Sequence, residues 1–224
     1  MSAEVQNLLA PSPGYVVVEG PIGVGKTSLA RRLAQSFECE LLLEQPTENP
    51  FLERFYQSPR QYALPTQLFF LFQRARQLEQ LRQTDMFSPR RVSDFLLEKD
   101  MLFAESNLED DELHLYEKVF EQLSPNVPQP DLVIYLQAPA DVLIQRVRRR
   151  GVDFERNIEP EYLERLCDAY ARFFFSYKES SLLMINATDI NLVDSDDDYN
   201  VLLDYLTRVK NGRHFLNPLP ERRI

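Results

Sequence analysis

Gly20, four residues, then Gly25, Lys26 and Thr27 form a stretch in which residue types and spacing together name a chemistry. Glycines at this spacing let consecutive backbone N–H groups turn inward around an anion. The lysine reaches the outer phosphates of a nucleotide, and the hydroxyl after it ligates Mg²⁺. Gly20, Gly23, Gly25, Lys26, Thr27 and Ser28 are therefore the expected phosphate cradle, with Thr27 as a metal ligand. Such a string arises by chance in roughly one chain of this size in a hundred. The context makes chance rarer: an apolar run at 15–18 precedes it, and Leu29, Leu33 and Phe37 follow at helical spacing. A helix starting there would aim its positive dipole end at the bound anion.

Further residues could complete a reaction around that anion. Glu44 closes a second short apolar run at 40–43, and a carboxylate leaving a strand on the phosphate side of a parallel sheet lies where such sheets bind ligands. Asp94 ends a weak third strand at 90–95, which would sit beside the first strand and offer Asp94 to the metal. Gln67 and Arg74 are seven apart, nearly on one helix face, among Phe69, Phe70 and Phe72. Spacing alone favours helix surface over a pocket edge. Arg146, Arg148, Arg149 and Arg150 make a local positive patch in an acidic chain. They could be a solvated helix end favoured by the dipole. Beside a phosphate cradle, a lid closing on phosphate charge is the better reading.

These residues need a scaffold that gathers strand ends. Apolar runs at 15–18, 40–43, 90–95, 131–137 and 182–186 read as strands. Between them lie helical patterns at 28–37, 49–56, 64–81, 96–107, 110–123, from 140, at 161–177 and at 199–210. Leu64, Leu68, Leu71, Ala75 and Leu78 bury one face of the long helix, and Pro65 is expected to kink or open it. The alternation predicts an α/β fold, a five-stranded mostly parallel sheet with helices on both faces, in one domain spanning 1–224. The acidic run 194–198 reads as a dipole complement or a solvated loop, and the tails 1–13 and 211–224 are expected to be poorly ordered.

With 224 residues, 44% hydrophobic and 27% charged, the chain has an ordinary globular composition. Its net charge of -10 argues against a nucleic-acid binder, though a small nucleotide needs only a local positive pocket. Cys39 and Cys167 are too few for a disulfide framework, and His114 and His214 sit in no ligand or triad pattern. The first fourteen residues lack a basic leader, and no apolar run reaches membrane-spanning length. A cytoplasmic enzyme with no membrane partner is the expectation.

Over nearly its whole length the chain resembles the deoxynucleoside kinases, most of all their bacterial deoxyadenosine/deoxyguanosine kinase branch. Glu44, in LLEQP, resembles the family's catalytic glutamate, although the usual Glu-Pro is split by Gln45. Tyr56 and Gln67, eleven apart, match the sugar-binding tyrosine and base-binding glutamine. Arg74 and Asp100 match a pocket pair found in purine and cytosine kinases. The segment RRRGVDFERNIEPEYLERL resembles the arginine-rich lid, about 146–159, with Arg146 and Arg150 at phosphate contacts and Glu155 at the 3′-hydroxyl. The resemblance thus implies an enzyme of nucleotide salvage: γ-phosphoryl transfer from ATP, with Mg²⁺, to the 5′-hydroxyl of a deoxypurine or deoxycytidine, by a homodimer. One departure stands out. Most relatives follow the acidic residue with Arg-Ser, whereas this chain reads Asp94, Phe95, Leu96, so the arginine's work falls to Lys99, to a lid arginine, or to nothing.

Two other functions share the cradle. A nucleoside monophosphate kinase, such as thymidylate kinase, needs a basic contact for the acceptor phosphate, which Glu44 would instead repel. A guanine-reading switch needs Asn-Lys-x-Asp, and the nearest string, Asn186, Ala187, Thr188, Asp189, lacks the lysine.

Overall fold

The computed structural model describes residues 14–84, 90–123 and 128–217. At its centre is β1 (Tyr15–Glu19), whose YVVVE sequence is apolar on both faces until its last residue. A strand flanked by parallel neighbours and covered by helices on both sides needs that pattern. Around it lie β2 (Glu40–Leu42), β3 (Arg91–Ser93), β4 (Leu132–Gln137), β5 (Ser181–Asn186) and β6 (Arg213–Leu216), in the order β2-β3-β1-β4-β5-β6. Every pairing is parallel. All carboxyl ends therefore leave one edge, and the chain turns from one side of β1 to the other there, as in ligand-binding crevices of open α/β sheets.

Helices follow the strands: α1 (Lys26–Phe37), α2 (Leu52–Gln57), α3 (Pro59–Thr84), α4 (Lys99–Asn107), α5 (Asp110–Leu123), α6 (Ala140–Arg150), α7 (Pro160–Ser176) and α8 (Asp196–Leu206). The core joins the inward faces of α1 and α7 to β1, β4 and β5. A second cluster, with Leu71, Leu78, Phe95 and Tyr116, lies under α3, α4 and α5. The acidic run serves α8: Asp196, Asp197 and Asp198 fill its first turn, and the Ser195 hydroxyl accepts from the Asp198 N–H at 3.2 Å.

Three expectations need correction. The sheet has six strands, not five, because Arg213–Leu216 pairs with β5 where a poorly ordered tail was anticipated. Four residues at a sheet edge carry too little apolar signal to stand out. Residues 1–13 and 218–224 lie outside the described residues. The long helix begins earlier, at Pro59, and runs through Pro65, which has no N–H to give to the carbonyl one turn back. Gln67 and Arg74, which spacing favoured as surface, are buried.

Candidate active site

The cradle forms as its residues dictate. Gly20, Gly23 and Gly25 have φ of 150°, 85° and 105°, values that side-chain-bearing residues rarely adopt. At Gly20 a Cβ would collide with the Leu136 carbonyl oxygen, so no larger residue fits against β4. Lys26 opens α1 and curls back over the loop, its ammonium donating to the carbonyls of Gly20 at 2.6 Å and Pro21 at 3.1 Å. Burial lowers the pKa of that ammonium, against the pull of Glu19.

Because β1, β2 and β3 are parallel neighbours or next neighbours, their exits bring Glu19, Glu44 and Asp94 together. Asp94 accepts from the Thr27 hydroxyl at 2.5 Å and from the Glu44 N–H at 2.7 Å. Burial raises the Asp94 carboxyl, partly offset by those bonds. Glu44 sits among cations. Its Oε1 accepts from Nε of Arg74 at 2.8 Å and also from Nη2, and the Lys99 ammonium is 3.4 Å away. Burial pushes the Glu44 carboxyl up, but Arg74, Lys99 and Lys26 outweigh it and bring it down to about 2. The carboxyl is therefore ionised near neutral pH.

From Glu44 a cavity of about 130 Å³ opens between α2, α3 and the start of α7. Tyr56, Gln67, Arg74, Arg150 and Glu155 line it together with Lys26, Thr27 and Asp94. The Tyr56 ring lies parallel to Phe154, with centroids 6.4 Å apart, and burial raises its phenol well above the ordinary range. Its hydroxyl therefore keeps its proton and can donate. Glu155 is held by Arg150 through a 2.5 Å ion pair. Asp100 is fully buried and lies behind Arg74, whose Nη1 it binds, rather than on the cavity wall.

On the other side of the loop a larger cavity, about 680 Å³, is lined by Gly25, Ser28, Arg146, Arg149 and residues 187–194. Arg146 belongs to this side alone, donating to the carbonyls of Ala187 at 2.7 Å and Thr188 at 3.1 Å. Gly23 and Arg150 line both cavities, so the two spaces meet at the phosphate loop.

A deoxynucleoside kinase family model matches residues 16–210. The chain belongs to that family. It is 35% identical over 159 residues, 70% of this chain and 76% of the relative, to the deoxyguanosine kinase of Bacillus subtilis (strain 168). It is 30% identical over 192 residues, 80% of this chain and 87% of the relative, to the deoxyadenosine kinase of Lactobacillus acidophilus. The fold matches that of the deoxyadenosine kinase from M. mycoides solved with products dCMP and dCDP: TM-score 0.76, 21% identity, 87% of this chain and 100% of the other covered. As a deoxynucleoside kinase the chain moves a phosphoryl group onto a deoxynucleoside.

The structure places around the cavities residues that the sequence reading passed over. Glu19 is fully buried, accepts from the N–H groups of Gly20 and Leu96 and from the Tyr170 hydroxyl, each at 2.9 Å, and faces Lys99 at 3.5 Å. The available signal was a carboxylate ending an apolar strand immediately before the first loop glycine. Thr66 lines the smaller cavity with a buried hydroxyl that has no hydrogen-bond partner among the described residues. The string 186–189 was noticed only as a failed guanine motif, yet residues 187–194 form much of the wall of the larger cavity.

Proposed function

We propose that this kinase transfers the γ-phosphoryl of ATP to the 5′-hydroxyl of a deoxypurine nucleoside, deoxyadenosine or deoxyguanosine, with deoxycytidine as the next acceptor, in nucleotide salvage. The observation that carries the reading is the junction of two cavities at Gly23 and Arg150, with Glu44 on the acceptor side and Lys26 beside it.

Transfer passes through a loose transition state, so positioning and charge neutralisation supply most of the rate. The loop N–H groups, Lys26 and Ser28 hold the donor phosphates. Thr27 and, through water, Asp94 would hold Mg²⁺: a hydroxyl and a carboxylate side by side are hard oxygen donors, which Mg²⁺ takes together with phosphate oxygens and water. Once bound, Mg²⁺ would neutralise charge on the β- and γ-oxygens. Glu44 accepts the 5′-hydroxyl proton, Tyr56 and Glu155 bind the 3′-hydroxyl, and Gln67 and Arg74 read the base edge. Glu44 uses one N–H on each of Nε and Nη2 of Arg74, and Asp100 pairs with Nη1 by charge, which leaves donors for acceptor atoms on a purine. Arg150 and Arg146 close on the phosphates from either side.

Similarity to the deoxyguanosine and deoxyadenosine kinases tips the reading toward a purine. A homodimer and a cytoplasmic location belong to it as well. Supporting them are exposed Phe72 on α3, exposed Leu115 on α5 and the free thiols Cys39 and Cys167. The helix α6 exposes no large apolar side chain among the described residues. No helix among them is long and apolar enough to cross a membrane.

The test is a panel of ATP with each common deoxynucleoside, scored by nucleotide formed. Deoxypurines should lead and thymidine should trail. Thymidine turned over as well as the deoxypurines, or phosphate released without acceptor, would sink the assignment.

A further inference from the structure

Lys99 occupies a position that simple physics disfavours. It is the first residue of α4, where the helix dipole repels a cation, and it is only 2% exposed, where an ammonium loses its hydration. Two carboxylates compensate: Glu19 Oε2 at 3.5 Å and Glu44 Oε1 at 3.4 Å. Arg74 reaches the same Oε1 from α3, backed by its own buried carboxylate, Asp100. One oxygen of Glu44 is thus gripped by two cations from two helices, each braced from behind, while the Glu44 side chain keeps 19% exposure. Asp94 holds the Glu44 backbone N–H. Phe95, directly after it in the chain, is fully buried in a cluster with Leu71 and Tyr116, facing away from any phosphate role.

We propose that Lys99 is a positioning residue for the transfer: braced on Glu19, it joins Arg74 in clamping Oε1 of Glu44, so that Oε2 is the oxygen that meets the acceptor hydroxyl. In the step it serves, the 5′-oxygen forms the new bond to the γ-phosphorus and its proton passes to Oε2. The bond from that phosphorus to the β,γ-bridging oxygen breaks, and its electron pair leaves on ADP. This rests on Glu44 being the base, and it answers what stands in for the arginine missing after Asp94.

The test measures kcat and both KM values for the parent, Lys99→Met, Lys99→Arg, Glu44→Gln and the Lys99→Met/Glu44→Gln pair, with a melting temperature for each. Lys99→Met should lose about 10²-fold in kcat. Its KM for ATP and for the deoxynucleoside should stay within about threefold, because the contact matters to the transition state and not to ground-state binding. Lys99→Arg should recover to within about tenfold of the parent, since it keeps the charge but not the point geometry. In the Glu44→Gln background, Lys99→Met should cost no more than about threefold, because a residue acting through Glu44 loses its lever once the base is gone.

Losses that multiply in the pair, or parental kcat in Lys99→Met, would overturn the proposal. A merely structural ion pair would lower the melting temperature without this kcat pattern. Should Lys99→Met not fold, Glu19→Gln/Lys99→Met withdraws both buried charges and carries the same comparison: the kcat loss supports the clamp and parental kcat refutes it. A parent that phosphorylates no deoxynucleoside would instead refute the functional reading, which separates the two failures.

Discussion

The guanidinium of Arg74 binds Glu44 through Nε and Nη2 and Asp100 through Nη1, so one side chain ties the carboxylate at the phosphate loop to a carboxylate buried behind the cavity. On the proposed roles, selection of the acceptor and positioning of the base are mechanically joined. Arg74 and Asp100 are almost wholly removed from water, where a charge left alone is expensive.

Asp100→Ala should lower unfolding stability by roughly 3 to 5 kcal/mol, the cost of leaving Arg74 with one buried partner fewer. Urea unfolding followed by circular dichroism checks this, and a midpoint equal to the parent's would show that the pair contributes no net stability.

Replacing Arg74 and Asp100 together with apolar residues withdraws both the donors proposed to read the base and the anchor of Glu44. Turnover of every acceptor should fall. The informative quantity is the ratio of kcat/KM for thymidine to that for deoxyadenosine, which should rise because Arg74, the member of the pair that lines the cavity, no longer fills the space a C5-methyl needs. An unchanged ratio would remove the pair from base selection.

Glu44→Gln keeps the shape of the side chain and discards the proton acceptor. General-base catalysis typically supplies 10² to 10⁴-fold, and kcat should drop by about that much with the KM for ATP little altered. Parental turnover would take Glu44 out of the mechanism.

Gly20→Ala should abolish nucleotide binding. The substitution places a Cβ against the Leu136 carbonyl at a φ of 150°, and the same residue supplies the carbonyl to which Lys26 donates. Local strain of roughly 1 to 3 kcal/mol follows, with a lower melting temperature. Unimpaired ATP binding by calorimetry would contradict the placement of the loop against β4.

Cys167 should be inert in the native protein. Burial pushes its thiol up to about 11, with Asp168 nearby adding to the shift. Below the unfolded pKa, about 8.5, both states hold the proton and the thiol has no effect. Above it the unfolded chain releases a proton that the native chain retains, so stability falls as pH rises from about 8.5 through the folded value. Rapid alkylation of Cys167 at pH 8 without denaturant, read by mass spectrometry, would argue against this burial.

Local pattern in the sequence carried the fold a long way. Parallel strands covered on both faces must be short apolar runs, so β1, β4 and β5 stood out, and so did the glycine spacing between β1 and α1. Since every strand runs the same way, carboxylates that close strands had to converge, which made Glu44 and Asp94 readable as site residues before any coordinates. Tertiary structure decided what no period encodes. The Arg74 to Glu44 contact joins residues 30 apart, and the hydrogen bond from Tyr170 to Glu19 joins residues 151 apart. Helical spacing favoured Arg74 as surface because charge usually seeks water, and only the packing of α3 against α4 and against the exit of β2 supplied the carboxylates, Asp100 and Glu44, that let it be buried. Lys99 had one clue in the sequence, the missing arginine after Asp94, while its place between Glu19 and Glu44 depended on where α4 begins relative to the ends of β1 and β2. A buried charge is stable only where other elements bring it a partner, so its location is a property of the assembled fold.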